Sequence, residues 1–284
     1  MHAPHFNAAR QKLVWRLRRI SSPLRALPDF LIIGAMKSGT SSLFHAMAQH
    51  PQLVPAKKKE IHYFDDGEAQ KTEAPERSLN WYRSHFPLRN MMGKASMTYE
   101  ATPKYICHPS AAKRIHDLRP DMKLILLLRD PTERAISHYL HSSKNSLDAE
   151  LLHATMEEEI RLLAPAGGLP TDASAVPDYT SHVGRGLYQK QIDHYLAYFD
   201  RNRIFIINSE EFFDDPRTTL SALFEFLKIQ TDHSITDLAP RNASKRPKQA
   251  WPRTRELLRS FFKPHNEDLF AFLGRRYDWN EAES

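Results

Sequence analysis

"DFLIIGAMKSGTSSLF", residues 29–44, decides the fold of this 284-residue chain. Its apolar run 30–33 lacks the alternation of a half-exposed strand and predicts a buried parallel strand. Gly34 and Gly39 then bracket a short loop, and "SSLFHAMAQH" predicts a helix ending before Pro51. A strand that passes through a glycine loop into a helix aims backbone N–H groups and the positive helix end at one spot, where a phosphate can sit. The common ATP-binding loop is Gly, four residues, then Gly-Lys-Ser/Thr, with the lysine on the outer phosphates and the hydroxyl on magnesium. Gly34 and Gly39 keep that separation, but Thr40 stands at the lysine position and Lys37 lies two residues before Gly39. The amides of Ser38, Gly39, Thr40 and Ser41 can still cradle a terminal phosphate, with the cation approaching from another side. Taken alone, the stretch reads as readily as a plain turn with a solvated lysine.

Working outward, "KASMTYEAT" (94–102), "KLILLLRD" (123–130) and "RIFIINSE" (203–210) read as further strands. Helical patterns fall at about 110–118, 131–142, 153–163, 186–199 and 216–227. The alternation predicts an α/β fold with a central, mainly parallel sheet flanked by helices. Pro23 and Pro28 set off residues 1–27 as a basic N-terminal arm, and 28–284 reads as one domain. Residues 143–182, a charged helix and then a Pro/Gly-rich run, read as an insertion or lid over one end of the sheet, and Pro264 is expected to split the tail into two helices.

With 41% hydrophobic and 26% charged residues the composition is neither disordered nor membrane-spanning. The net charge of +6 favours anionic partners. One cysteine, Cys107, rules out an intramolecular disulfide and gives no zinc pattern, so a reducing compartment is expected. No run approaches the roughly 20 apolar residues of a membrane span, and there is no signal-peptide core. The expected location is therefore cytoplasmic. "RQKLVWRLRRISSPLRAL" carries apolar residues at helical spacing among arginines; it can lie on a membrane surface or pack against the domain.

Two more stretches carry chemistry. "KLILLLRDPTERAISHY" puts Arg129 at the end of a buried strand and Ser137 one to two helical turns past Pro131, where both can face the mouth of the sheet. A guanidinium and a hydroxyl there suit a second phosphate group; the alternative is that Arg129 pairs with Asp130 or Glu133. "PAKKKEIHYFDD" sets Glu60 beside Lys57, Lys58 and Lys59 and two residues before His62. By itself, that carboxylate reads as a surface group neutralised by lysines, and His62 as a histidine packed beside Tyr63 and Phe64.

Together, "FLIIGAMKSGTSSLF", "KEIHYFD", "LILLLRDPTERAISHY" and "FFKPHNEDLFAFLGRRYDW" resemble the P-loop sulfotransferases that use 3′-phosphoadenosine 5′-phosphosulfate (PAPS), most of all the carbohydrate branch related to heparan sulfate sulfotransferases. The resemblance runs from Asp29 to Trp279 and implies a P-loop-type three-layer fold and direct in-line transfer of a sulfuryl group to a hydroxyl. It implies that Lys37 contacts the bridging oxygen, that Ser38 to Ser41 hold the 5′ phosphosulfate, and that Arg129 and Ser137 grip the 3′ phosphate. Glu60 matches the catalytic base, with His62 orienting the acceptor or serving as base instead. Lys245 and Arg246 in "PRNASKRPKQ" match a loop that folds over the nucleotide, although this copy lacks that loop's glycine. Ala101 stands where the heparan branch has a lysine, so Lys104 or Lys59 is expected to supply that charge. The implied acceptor is a sugar, glycolipid or related small molecule, with Trp81, Tyr82 and Tyr99 as candidates for stacking on a sugar ring. No metal and no nucleic acid are expected. The alternatives are an ATP-dependent P-loop kinase and a basic anion-binding module without catalysis.

Overall fold

The computed structural model describes residues 3–65, 78–143, 148–163, 181–233, 235–238 and 251–280. Five strands, β1 (Phe30–Gly34), β2 (Leu53–Pro55), β3 (Met97–Ala101), β4 (Lys123–Leu128) and β5 (Ile204–Asn208), form one sheet in the order β2-β3-β1-β4-β5. Every pairing is parallel, with Leu31 opposite Glu100 of β3 and Leu124 of β4. The ten helices among the described residues are α1 (Ala3–Ile20), α2 (Thr40–Met47), α3 (Leu79–Arg83), α4 (Ala111–Leu118), α5 (Pro131–Ser142), α6 (Ala149–Leu163), α7 (Tyr188–Leu196), α8 (Ser209–Asp214), α9 (Pro216–Leu227) and α10 (Pro252–Leu273).

The period-two alternation of strand side chains sorts the core into two layers. Leu31, Ile33, Leu124, Leu126 and Leu128 point to one face and pack with Ile115 of α4, Ile192 and Tyr195 of α7, and Leu269 and Phe270 of α10. Phe30, Ile32, Ile125, Leu127 and Ile207 point to the other and meet Leu43, Phe44 and Met47 of α2 and Leu220, Leu223, Phe224 and Leu227 of α9. β1 is buried at every position, which is why its sequence is unbroken hydrocarbon. Burying each such Leu, Ile or Phe contributes about 1.5–3 kcal/mol before entropy is counted.

Three elements depart from the expected boundaries. β2 was not expected: only three residues long and bounded by Pro51 and Pro55, it reads as a turn, yet a sheet edge tolerates Pro55 because no ladder partner needs its missing N–H. The strand expected over 123–130 stops at Leu128 because Asp130 turns to cap α5, accepting from the Thr132 N–H at 2.8 Å. The expected break at Pro264 does not occur. α10 continues through it because the stripe Leu258, Phe262, Asn266 and Leu269 stays buried, while Pro264 and Ser260, whose carbonyl loses its helical donor, face solvent. Of the stretch 143–182, α6 packs Leu152 and Met156 against α5 and α10 in a third cluster; residues 164–180 lie outside the described residues.

The chain builds to one side of β1 with β3 and β2 and to the other with β4 and β5. In open parallel sheets, that reversal leaves a crevice at the carboxyl ends of the strands, where ligands bind.

Candidate active site

The loop after β1 is held by β4 and by the start of α8. Ala35 N–H donates to Leu127 O of β4 at 2.7 Å, Ser38 N–H to Ala35 O at 3.2 Å, and the Ser209 hydroxyl to Ser38 O at 2.8 Å. Gly39 caps α2 at φ +88°, and a Cβ there would lie 2.8 Å from Cζ of Phe213, so neither backbone nor space admits a larger residue. Beyond it, α2 begins at Thr40, and the start of a helix, where the geometry leaves amides without an intrahelical acceptor, suits an anion. Ser38 is buried, and its Oγ has no hydrogen-bond partner among the described residues.

Two cations converge on this cradle. Arg129, just past the end of β4, donates from Nη1 to the Lys37 carbonyl at 3.2 Å, and its own carbonyl accepts from the Tyr188 hydroxyl at 2.8 Å. The alternative partners are otherwise engaged: Asp130 caps α5, and Glu133 takes Arg255 at 2.6 and 3.0 Å. Burial first, and then the charge of Arg129, lowers the pKa of the Lys37 ammonium. Such a pair, short of counter-charge, is relieved by an anion between them. Ser137 is half-buried, within two turns of Pro131 on α5. Arg185, unmarked by any sequence motif, reaches the Met36 sulfur at 2.9 Å from the turn before α7 and brings a third cation to the loop.

Glu60 and His62 sit at the end of β3. Glu60 N–H donates to Ala101 O at 2.9 Å, and Thr102 N–H to Ile32 O at 3.1 Å, which ties this segment across β3 to β1. The Glu60 side chain is 47% exposed, with Lys59 Nζ at 2.5 Å from Oε1 and His62 Nε2 at 3.8 Å from Oε2. The expected lysine neutralisation is therefore real. At this exposure it contributes at most about 1 kcal/mol, which an incoming acceptor can displace. His62 is not simply packed: its Nδ1 lies 2.7 Å from Oδ2 of buried Asp65, which Lys104 also approaches at 3.7 Å. Burial pushes the Asp65 pKa up, but the His62 hydrogen bond and the His62 and Lys104 charges outweigh it, and the net shift is downward. Asp65 was missed as a site residue; its signal is the three-residue spacing from His62.

Among the described residues, five that are not glycine have positive φ, and three of them are Lys37 (72°), Glu60 (60°) and His62 (59°). Holding an ordinary residue there costs about 1–3 kcal/mol, a strain that gathers at functional sites.

Beneath this edge, Glu100 is fully buried and accepts from the hydroxyls of Tyr82 (2.7 Å), Tyr105 (3.0 Å) and Thr102 (2.9 Å). Tyr105 in turn accepts from the Tyr63 N–H, fixing the segment after Glu60. This network corrects the expectation that Tyr82 and Tyr99 stack on a sugar. Both are wholly buried, Tyr99 donating to Phe44 O, because their hydroxyls find internal partners. Trp81 packs edge-on against His85 with centroids 4.6 Å apart. Lys245 and Arg246 lie outside the described residues.

The ends of β1, β3 and β4 thus bring an amide cradle, a carboxylate with its histidine, and a guanidinium to one edge. The Ser38 hydroxyl, without a partner among the described residues, the helix start at α2 and the under-neutralised Lys37–Arg129 pair fit a phosphorylated nucleotide such as PAPS.

A family model for the sulfotransferase domain matches residues 27–280. Heparan sulfate glucosamine 3-O-sulfotransferase 6 of Homo sapiens is 31% identical over 279 residues, covering 90% of this chain and 74% of that protein. Membrane-associated sulfotransferase kil1 of Dictyostelium discoideum is 29% identical over 333 residues, 92% of this chain and 68% of that protein. Among solved structures, a sulfotransferase from Alicyclobacillus acidocaldarius superposes with a TM-score of 0.67 at 28% identity over 90% of this chain and 100% of that one. Neither a kinase nor a non-catalytic module is favoured by these likenesses, and the chain belongs to the sulfotransferase family, as a PAPS-dependent enzyme.

Proposed function

We propose that this chain moves the sulfuryl group of PAPS to a hydroxyl of a carbohydrate, glycolipid or related small acceptor, with Glu60 as the base. The observation that supports it most is the meeting of the α2 amide cradle, Glu60 and Arg129 at the ends of β1, β3 and β4. The named relatives acting on heparan sulfate glucosamine support the carbohydrate acceptor.

PAPS supplies a sulfuryl group already bonded to a phosphate leaving group. Glu60 takes the proton of the acceptor hydroxyl as its oxygen bonds to sulfur, and the sulfur–oxygen bond to phosphate breaks. Lys37 and the amides of Ser38, Gly39, Thr40 and Ser41 stabilise the charge left on that phosphate. Arg129 and Ser137 hold the 3′ phosphate, with Lys245 and Arg246 as further contacts in the same reading. His62, steered by Asp65, orients the acceptor. Lys59 or Lys104 supplies the cation that Ala101 lacks, since each stands beside a carboxylate of the site. Neutralisation falls to these side chains, and no metal is invoked. We assign catalysis to 28–284, a cytoplasmic location, and peripheral membrane contact to 1–27; among the described residues, no helix is long and apolar enough to cross a membrane.

The test is Glu60→Gln assayed with labelled PAPS. Turnover should be lost while calorimetric affinity for 3′-phosphoadenosine 5′-phosphate, the desulfated product, is retained. Retained turnover removes Glu60 from the role of base; transfer of label from γ-labelled ATP instead would reject the sulfuryl reading.

A further inference from the structure

The N-terminal segment is charged unlike the rest of the chain. Residues 1–27 hold Arg10, Lys12, Arg16, Arg18, Arg19 and Arg25 with no Asp or Glu, so these six cations equal the whole formal net charge of +6. The remainder is balanced.

α1 also carries apolar residues on both sides, unlike an ordinary surface helix, whose apolar stripe faces the body. Its inward residues are Val14, Trp15 and Arg18, all half-buried. Arg18 donates to Ser84 O at 2.6 Å and Phe86 O at 2.8 Å, Arg25 also reaches Phe86 O at 2.8 Å, and Trp15 packs on His85 with centroids 4.8 Å apart. Outward are Leu13, Leu17 and Ile20, exposed by 57%, 56% and 70%, and Leu24 follows at 68%. At about 3.6 residues per turn, Arg10 borders this stripe on one side and Arg16 on the other. Lys12, Arg16 and Arg19 line an open groove with Trp15 and Ile20.

Leucines outward with arginines along the borders, on a helix anchored to the body by Arg18 and Trp15, are the arrangement of a helix lying in a bilayer interface, where hydrocarbon enters the acyl boundary and guanidiniums meet anionic headgroups. A second copy is a poor occupant. A two-fold contact through this stripe would bring the Arg10 and Arg16 rows of both copies together without an acid to pair them. The inward side of the helix meets the segment that leads to the site: Lys57, three residues before Glu60, sits 5.6 Å over the Trp15 ring and donates its N–H to His85 O at 2.8 Å.

We propose that the outward face of α1 docks on an anionic phospholipid bilayer and thereby tethers the body beside the membrane through the Trp15 and Arg18 contacts of its inward side. The docking rests on and sharpens the membrane contact proposed for 1–27 above, and it is independent of the reaction.

The test uses the full chain in flotation with vesicles of phosphatidylcholine, with and without about 30% phosphatidylglycerol. The parent should bind the anionic vesicles at least tenfold more tightly, and Leu13→Glu with Leu17→Glu should remove that binding while affinity for 3′-phosphoadenosine 5′-phosphate is unchanged. Absence of parental binding overturns the proposal, as does binding undiminished in the variant or a concentration-dependent dimer in light scattering that the variant loses. If the leucine variant fails to bind nucleotide, Arg10→Glu with Arg16→Glu decides: preference for anionic over neutral vesicles must disappear, and its persistence overturns the proposal. Vesicle binding without nucleotide binding in the parent would reject the transferase reading and leave the docking standing.

Discussion

Replacing Arg129 with Ala tests the nucleotide site, because the structure separates two consequences of that change. One Arg129 N–H already donates to the Lys37 carbonyl at 3.2 Å, a contact that shapes the loop for any nucleotide. Losing that neutral acceptor contact costs about 1 kcal/mol, or roughly fivefold in affinity, whichever nucleotide is bound. In the proposed role the rest of the fork grips the 3′ phosphate, and a two-pronged, charge-assisted grip on a phosphate is worth about 3 kcal/mol, roughly 150-fold. Adenosine 5′-monophosphate, which lacks the 3′ phosphate, should therefore weaken only about fivefold, whereas 3′-phosphoadenosine 5′-phosphate should weaken nearly a thousandfold by the sum of the two effects. Isothermal titration of both ligands against both proteins gives the ratio directly, and loop distortion cancels in it. A preference for the bisphosphate that survives in Arg129→Ala would refute the placement of the 3′ phosphate, whatever happens to the absolute affinities.

Asp130 gives a pH signature. Burial first, then the nearby Glu133 and Glu210, raise its carboxyl to about 7 against the opposing Thr132 amide and Arg129. A carboxyl with a raised folded-state pKa binds its proton more tightly when folded, so stability is highest below the usual carboxylate range and falls as pH rises towards about 7. Asp130→Asn keeps an N-cap acceptor for Thr132, so urea midpoints should flatten between pH 5 and 7; an unchanged slope would mean another group titrates. Glu100→Ala should lower stability by about 3 kcal/mol, because Tyr82, Tyr105 and Thr102 each lose a buried acceptor. A urea midpoint within error of the parent would show that these hydroxyls find other partners.

What the sequence determined by itself is the local and periodic part of the protein. The hydrocarbon runs at 30–33 and 124–128 can be buried on both faces only in a parallel sheet, and a glycine turn leading into a helix presents donors because helix geometry leaves its first amides free. Lys37, Glu60 and Arg129 were singled out by the resemblance of several ordered motifs, since each taken alone also reads as a solvated or neutralised surface group. Tertiary structure decided what depends on partners distant in sequence. It drew Arg129 to the Lys37 carbonyl across 92 positions and Tyr82 to Glu100 across 18, and it carried α10 through Pro264 on the strength of a buried stripe. It also turned the leucines of α1 outward, because Arg18 found carbonyls on the body that no local pattern announces. Propensity is settled within a few residues of chain, whereas burial and hydrogen-bond satisfaction are settled only when the whole chain has closed around them.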